Sequence, residues 1–201
     1  MDLIDLLQSQ LSGNVIDQLS NQIGEEKEKT EVATSGIISM LTAALAKNAA
    51  SPGGASALAS ALDTDHDGSI LDNIGELLGG SMNNNRAANG AGILKHVLGG
   101  KQGNAIDAIS KMSGLSGDKT GNLMTMLAPI VLGMLGKQKR QNNMDQSGLS
   151  DMLSRSVKSA SNQRQEMGLL GKLLDRDGDG SVMDDIAGMG LKTLGNLFRK
   201  R

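Results

Sequence analysis

The chain has no cysteine, no tryptophan and no tyrosine, and Phe198 is its single aromatic residue of that class. Without cysteine there is no disulfide, no thiol nucleophile and no thiolate metal site, and compartment is left open by that lack. Without aromatics, a core has to be assembled from Leu, Ile, Val, Ala and Met. Such side chains suit close helix packing better than a β-sandwich. The missing rings also remove the platforms on which nucleic-acid bases stack. The basic patches GKQKRQ (136–141) and FRKR (198–201) are therefore not read as a nucleic-acid surface. Proline is down to 2 residues, and the 27 glycines follow no Gly-X-Y period, which excludes collagen. Long apolar runs are absent too. GIISMLTAALA (36–46) and LMTMLAPIVLGMLG (123–136) fall short of the roughly 20 residues a membrane span needs, so none is expected. The start, MDLIDLLQSQLSG, carries acids where a signal peptide carries bases, and the expectation is a soluble cytoplasmic protein.

Catalytic material is equally thin. The two histidines, His66 and His96, are both expected to face solvent, and no HExxH, GxSxG, phosphate-loop or dinucleotide fingerprint occurs. The reading is that the protein is not an enzyme.

What is present is arranged in halves. The net charge of -2 conceals 12 acids against 3 bases in residues 1–80, and 12 bases against 8 acids in residues 137–201. Oppositely charged ends favour head-to-tail contact, within the chain or between copies. Sliding the sequence against itself by 90 positions aligns 13–47 with 103–137 without a gap, giving 10 identities in 35. GNVIDQLSNQIG meets GNAIDAISKMSG, Lys29-Thr30 meets Lys119-Thr120, and Leu45 and Lys47 meet Leu135 and Lys137. This reads as an internal duplication, with a first repeat over 1–80, a Gly- and Asn-rich linker over 81–92 and a second repeat over 93–201.

The periodicity within each half is helical. Leu3, Leu7, Leu11, Val15 and Leu19 recur every fourth residue, with Gly13 expected to divide the run into two short helices. Longer helices are expected over 26–47 and 119–137, the second kinked or restarted at Pro129. Ser51-Pro52-Gly53-Gly54 marks a turn before a short helix, and residues 138–148 read as a loop. No alternating strand is visible. The ten methionines from position 82 onward read as core fill where aromatics are lacking, Met124, Met126, Met134, Met183 and Met189 among them.

The repeat that points to chemistry is an acidic loop. DTDHDGSILDNI runs over 63–74 and DRDGDGSVMDDI over 175–186. Asp63, Asp65 and Asp67 stand at alternate positions before Gly68, with Ser69 next to offer its carbonyl; Asp175, Asp177, Asp179, Gly180 and Ser181 repeat the pattern. This is the front half of an EF-hand loop, in which hard oxygens converge on calcium and glycine makes the sharp turn. The back half departs from it. Ile74 and Ile186 occupy the place of the bidentate Glu, and Asp72 and Asp184 stand two residues earlier, as completing ligands or as helix caps. The expectation is a calcium ion at each loop, held by Asp63, Asp65, Asp67, Ser69 and Asp72 and by Asp175, Asp177, Asp179, Ser181 and Asp184.

The stretches GNVIDQLSNQIG, GIISMLTAALAKNAASPGGASALASAL and DTDHDGSILDNIGELLGG, echoed by LMTMLAPIVLGMLGKQKRQ and LLGKLLDRDGDGSVMDDIAGMG, make the whole chain resemble the bacterial domain of unknown function 937, a family related to the YidB-like proteins. The resemblance implies an all-helical bacterial domain and carries no catalytic residue with it. Taken together, the sequence predicts an all-α, internally duplicated helical protein with two calcium-binding-type loops. It would act through a protein partner or as a homo-oligomer, either as a pair of structural clamps or as a calcium-responsive module that bares an apolar groove to a protein or lipid surface; an enzyme of unrecognised type is the remaining alternative.

Overall fold

The computed structural model describes residues 3–11, 13–79 and 86–174, and the side chains of all of these except 86 and 161–174. Among the described residues there is no strand, and the fold is all-α. Two short helices come first, α1 (Leu3–Gln10) and α2 (Asn14–Ile23), parted as expected at Gly13, whose φ is +64°. Then follow the long α3 (Lys27–Ala49), α4 (Pro52–Thr64), a 3-10 turn (Ser69–Asn73) and the short α5 (Ile74–Leu78). The chain continues through α6 (Gly90–Leu98), α7 (Gln102–Ser113), the long α8 (Gly117–Gln141) and α9 (Gln146–Leu174).

Local signals account for most of these ends. Gly24 and Gly114, 90 residues apart, close α2 and α7 in left-handed geometry. α3 and α8 likewise start 90 residues apart, at Lys27 and Gly117. The Ser51 hydroxyl accepts from the Gly54 amide at 3.2 Å, and Pro52 at the first helical position needs no donor, so α4 begins there. Asn89 caps α6 in the same way, accepting from the Gly92 amide at 3.0 Å.

Contacts divide the chain into two compact units, Met1–Val157 and Lys158–Arg201. In the first, α3 and α8 pack on one another, and α1, α2, α4, α6 and α7 each contact at least one of this pair. α2 and α7 touch both long helices, so helices from either side of residues 81–92 share one core. Of the second unit, the described part is the run of α9 from Lys158 to Leu174.

The core is aliphatic. α3 contributes Ile37, Ile38, Leu41 and Leu45, and α1 and α2 contribute Leu3, Leu7 and Leu19, all buried. In α8 every residue from Leu127 to Gly136 is buried, so this stretch is covered on all sides rather than along one stripe. Met124 and Met134 fill core positions, while Met126 is half-buried. Of the two readings of Pro129, the restart is corrected: α8 passes through it without ending, because packing on every side holds the helix despite the missing donor. It also runs on to Gln141, so its last basic residues are helical where a loop was expected.

The repeated Lys-Thr pairs are part of this packing. Thr30 and Thr120 are fully buried; Thr30 Oγ1 donates to the Glu26 carbonyl at 2.9 Å, and Thr120 Oγ1 accepts from Ser110 Oγ at 2.8 Å. Lys119 Nζ reaches back to the Gly24 carbonyl at 2.8 Å and to Glu25 Oε1 at 2.9 Å, fastening the start of α8 to the turn between α2 and α3.

Candidate functional site

The first acidic loop lies between α4 and α5 and is laid against the C-terminal half of α8. As α4 unwinds, the amides of Asp65 and His66 both donate to the Ala61 carbonyl, at 3.0 and 3.1 Å. Gly68 then turns the chain with φ +98°, a conformation that side chains resist. The approach to α8 is close because α8 offers glycine there. A Cβ on Gly136 would collide with the His66 carbonyl, and one on Gly133 would sit 2.6 Å from the Ile70 Cγ2 methyl. Ile70 is 3% exposed and seats in this notch.

Charge closes the contact. Lys139 Nζ donates to both carboxylate oxygens of Asp63, at 2.6 and 2.8 Å. Arg140 pairs with Asp67 Oδ2 at 3.0 Å and also donates to the Asp67 carbonyl. Asp67 Oδ1 accepts from the Ser69 amide at 2.9 Å. The Ser69 hydroxyl and amide, with Arg140 beyond them, hold the Asp67 carboxyl below the usual carboxylate range.

The candidate ligands therefore point to different partners. Asp63 goes to Lys139, Asp67 to Ser69 and Arg140, and Asp65 to the wall of a cavity, while Asp72 is exposed in the 3-10 turn. Among the described residues, no group of three or more His, Asp or Glu side chains is placed to share a metal ion. The donors of a hard-cation loop are present, but they do not converge in this conformation. Asp175, Asp177, Asp179, Ser181 and Asp184 of the second loop lie outside the described residues.

The cavity that Asp65 borders is an open cleft of about 690 Å³, lined by the end of α3, α4, α6 and one residue of α8, Leu132. His66 and His96 both line it. The expectation of a solvent-facing His66 is corrected: it is 7% exposed, because its backbone is drawn onto Gly136. Burial pushes its imidazole below the ordinary value of 6.5, with Asp65 acting weakly in the opposite direction. Its Nδ1 is buried without a hydrogen-bond partner. His96 is exposed on α6, as expected, at the cavity's edge.

Residues 5–138 match a family described as "Bacterial protein of unknown function (DUF937)". The chain belongs to that family. The matched stretch holds α1 almost entire, the acidic turn, the cavity and α8 up to Gln138. Lys139 and Arg140, which grip the turn, stand just past it. No curated protein and no solved structure matches the chain. No described helix is long and apolar enough to cross a membrane.

Three features of this site escaped the sequence. The notch of Gly133 and Gly136 had a signal, since two glycines three apart inside an apolar helix weaken it unless something packs close. The basic run 137–140 reads in the sequence as a surface patch, although basic residues suit a helix C-terminus, where Lys139 and Arg140 stand. The cavity had no signal at all, because separate helices build it.

Proposed function

We propose that this protein works by binding rather than catalysis, as a calcium-responsive helical module whose first acidic turn is its moving part. The observation that carries this reading is that Asp63 and Asp67 are already engaged by cationic side chains, Lys139 and Arg140, from a helix 76 and 73 residues away in sequence. A calcium ion seeks six to eight oxygens. Drawing Asp63, Asp65, Asp67, the Ser69 carbonyl and Asp72 around one would take those carboxylates from Lys139 and Arg140. Ion pairs with an exposed partner are worth only about 0–1 kcal/mol each, so such an exchange is open to a divalent ion. Because Asp65 and His66 also border the cavity, the exchange would alter its wall. That position favours a responsive module over a purely structural clamp.

On this reading the second loop takes a second ion, the two halves descend from a duplication, and the altered surface meets a protein partner or a second copy in the cytoplasm. The shared 90-residue offset of Gly24 with Gly114 and of the starts of α3 and α8 supports the duplication.

Calorimetric titration of cation-stripped full-length protein with calcium, then magnesium, tests the proposal, with Nile red reporting exposed apolar surface. Calcium should bind with measurable heat and brighten the dye while helicity persists, and Asp65→Asn should remove the dye response. Heat without a dye response would reduce the module to a clamp. No heat up to millimolar calcium would end the cation reading.

A further inference from the structure

We infer that Met112 is an oxidation site, a thioether latch between α7 and α3 that a peroxide opens by placing one oxygen on its sulfur. This inference does not depend on whether the acidic turn takes calcium.

Met112 stands near the end of α7, a helix packed along α3. It is 52% exposed and is the most exposed methionine among the described residues. Met124 and Met134, by contrast, lie in the core. Although open to solvent, Met112 fills a seat. Its methyl lies on Gly36 of α3: a Cβ added there would collide with Met112 Cε, and would stand 2.8 Å from Ile109 Cδ1 and 3.7 Å from Met112 Sδ. Gly36 falls inside a helix of 23 residues, where glycine costs stability relative to alanine. Its φ is not positive, so no turn calls for glycine at this place. The close approach of Met112 and Ile109 does.

A thioether that is both accessible and seated in this way couples a chemical change to a packing change. With hydrogen peroxide, the sulfur attacks one oxygen and the O–O bond breaks. The departing hydroxide takes the proton from the transferred hydroxyl and leaves as water, so methionine and peroxide become methionine sulfoxide and water. The sulfoxide is polar where the thioether was apolar. Held on Gly36 and Ile109 it would give up hydrogen bonds to water, so it turns outward and uncovers both. Val32 lies one turn before Gly36 on the same face of α3 and is 45% exposed, so the uncovered surface joins apolar surface that is already open. Oxidation thus turns a covered seam into an apolar patch, and reduction of the sulfoxide by methionine sulfoxide reductases closes it again.

The test treats the full-length protein with hydrogen peroxide in EDTA and follows each methionine by mass spectrometry of its peptides. Met112 should gain its oxygen at least about tenfold faster than Met124 or Met134, since reactivity follows exposure. As Met112 is modified, the urea midpoint read by circular dichroism should fall and Nile red should brighten. Both changes should reverse on treatment with the reductases. Two variants separate a latch from general damage. Met112→Leu keeps an apolar side chain and loses the sulfur, so early peroxide treatment should leave its midpoint and dye signal unchanged. Gly36→Ala fills the seat beforehand, so Met112 should still be oxidised while most of the midpoint shift disappears. Oxidation of Met112 no faster than that of Met124 and Met134, a modified Met112 with unchanged midpoint and dye signal, or the same shifts in Met112→Leu would each overturn the inference.

Discussion

Lys139 Nζ lies 2.6 and 2.8 Å from the two carboxylate oxygens of Asp63, a residue 76 positions earlier in the chain. The lysine is 13% exposed at its side chain and the aspartate 54%, so the pair spans the edge of the contact between the acidic turn and α8. With Arg140 on Asp67 beside it, the pair fastens the acidic turn to the C-terminal end of α8.

A double-mutant cycle of Asp63→Ala and Lys139→Ala should return a coupling of about 0.5–1 kcal/mol in urea denaturation, since one partner is open to solvent. The unfolding has to be followed by circular dichroism, because the chain has no Trp or Tyr to fluoresce. Additive effects of the two substitutions would show that the pair does not hold the turn. In the calcium reading, Lys139→Ala should also tighten calcium at the first loop, by freeing Asp63.

Gly136→Ala should cost about 1–3 kcal/mol, because its Cβ would meet the His66 carbonyl and force the turn away from α8. Gly53→Ala is the control. It lies in the first turn of α4 with nothing within 4 Å of the added Cβ, and should be neutral or stabilise by up to about 1 kcal/mol. Equal effects at the two glycines would contradict the close packing of the turn.

Acid should weaken the fold through His66. Burial lowers its pKa in the native state below 6.5. Between that lowered value and 6.5 the unfolded chain holds the proton and the native chain does not, so stability rises with pH across the window and is lost on acidification through it. Urea midpoints should fall between pH 7 and pH 5, and less so in His66→Gln. Asp67 acts in a lower window. Its pKa is depressed from 3.8, so its contribution is present above that value and disappears as pH falls through the native one. A midpoint unchanged from pH 7 to 5 would argue against a buried, neutral His66.

Leu127→Ala should cost about 2–5 kcal/mol, as expected for a fully buried leucine in a helix covered on all sides. Val32→Ala, at an exposed position of α3, should stay within about 0.5 kcal/mol. Similar costs at both positions would mean that α8 is not the centre of the core.

Much of the fold was legible because its signals are short-range. Gly13, Ser51-Pro52 and the four-residue leucine spacing each act within a turn or two of chain, and each marked a real boundary or face. No new helix starts at Pro129, because the packing that surrounds α8 from Leu127 to Gly136 offsets the local penalty. His66 is the opposite case. Its place in the acidic pattern points outward, but its backbone is seated on Gly136, and the side chain is buried with it.

By itself the sequence determined an all-α protein: aromatics are down to Phe198, alternation is absent, aliphatic residues recur at helical spacing, and glycines and caps punctuate the runs. It also set out the acidic residues of the first loop and the basic residues of 137–140. Only the tertiary structure decided that these meet, that Asp63, Asp65 and Asp67 turn to three different partners, and that both histidines border one cavity. The physical reason is range. Helix formation is settled over a few residues, whereas a contact across 76 residues depends on how two long helices pack, and no local pattern in the chain carries that information.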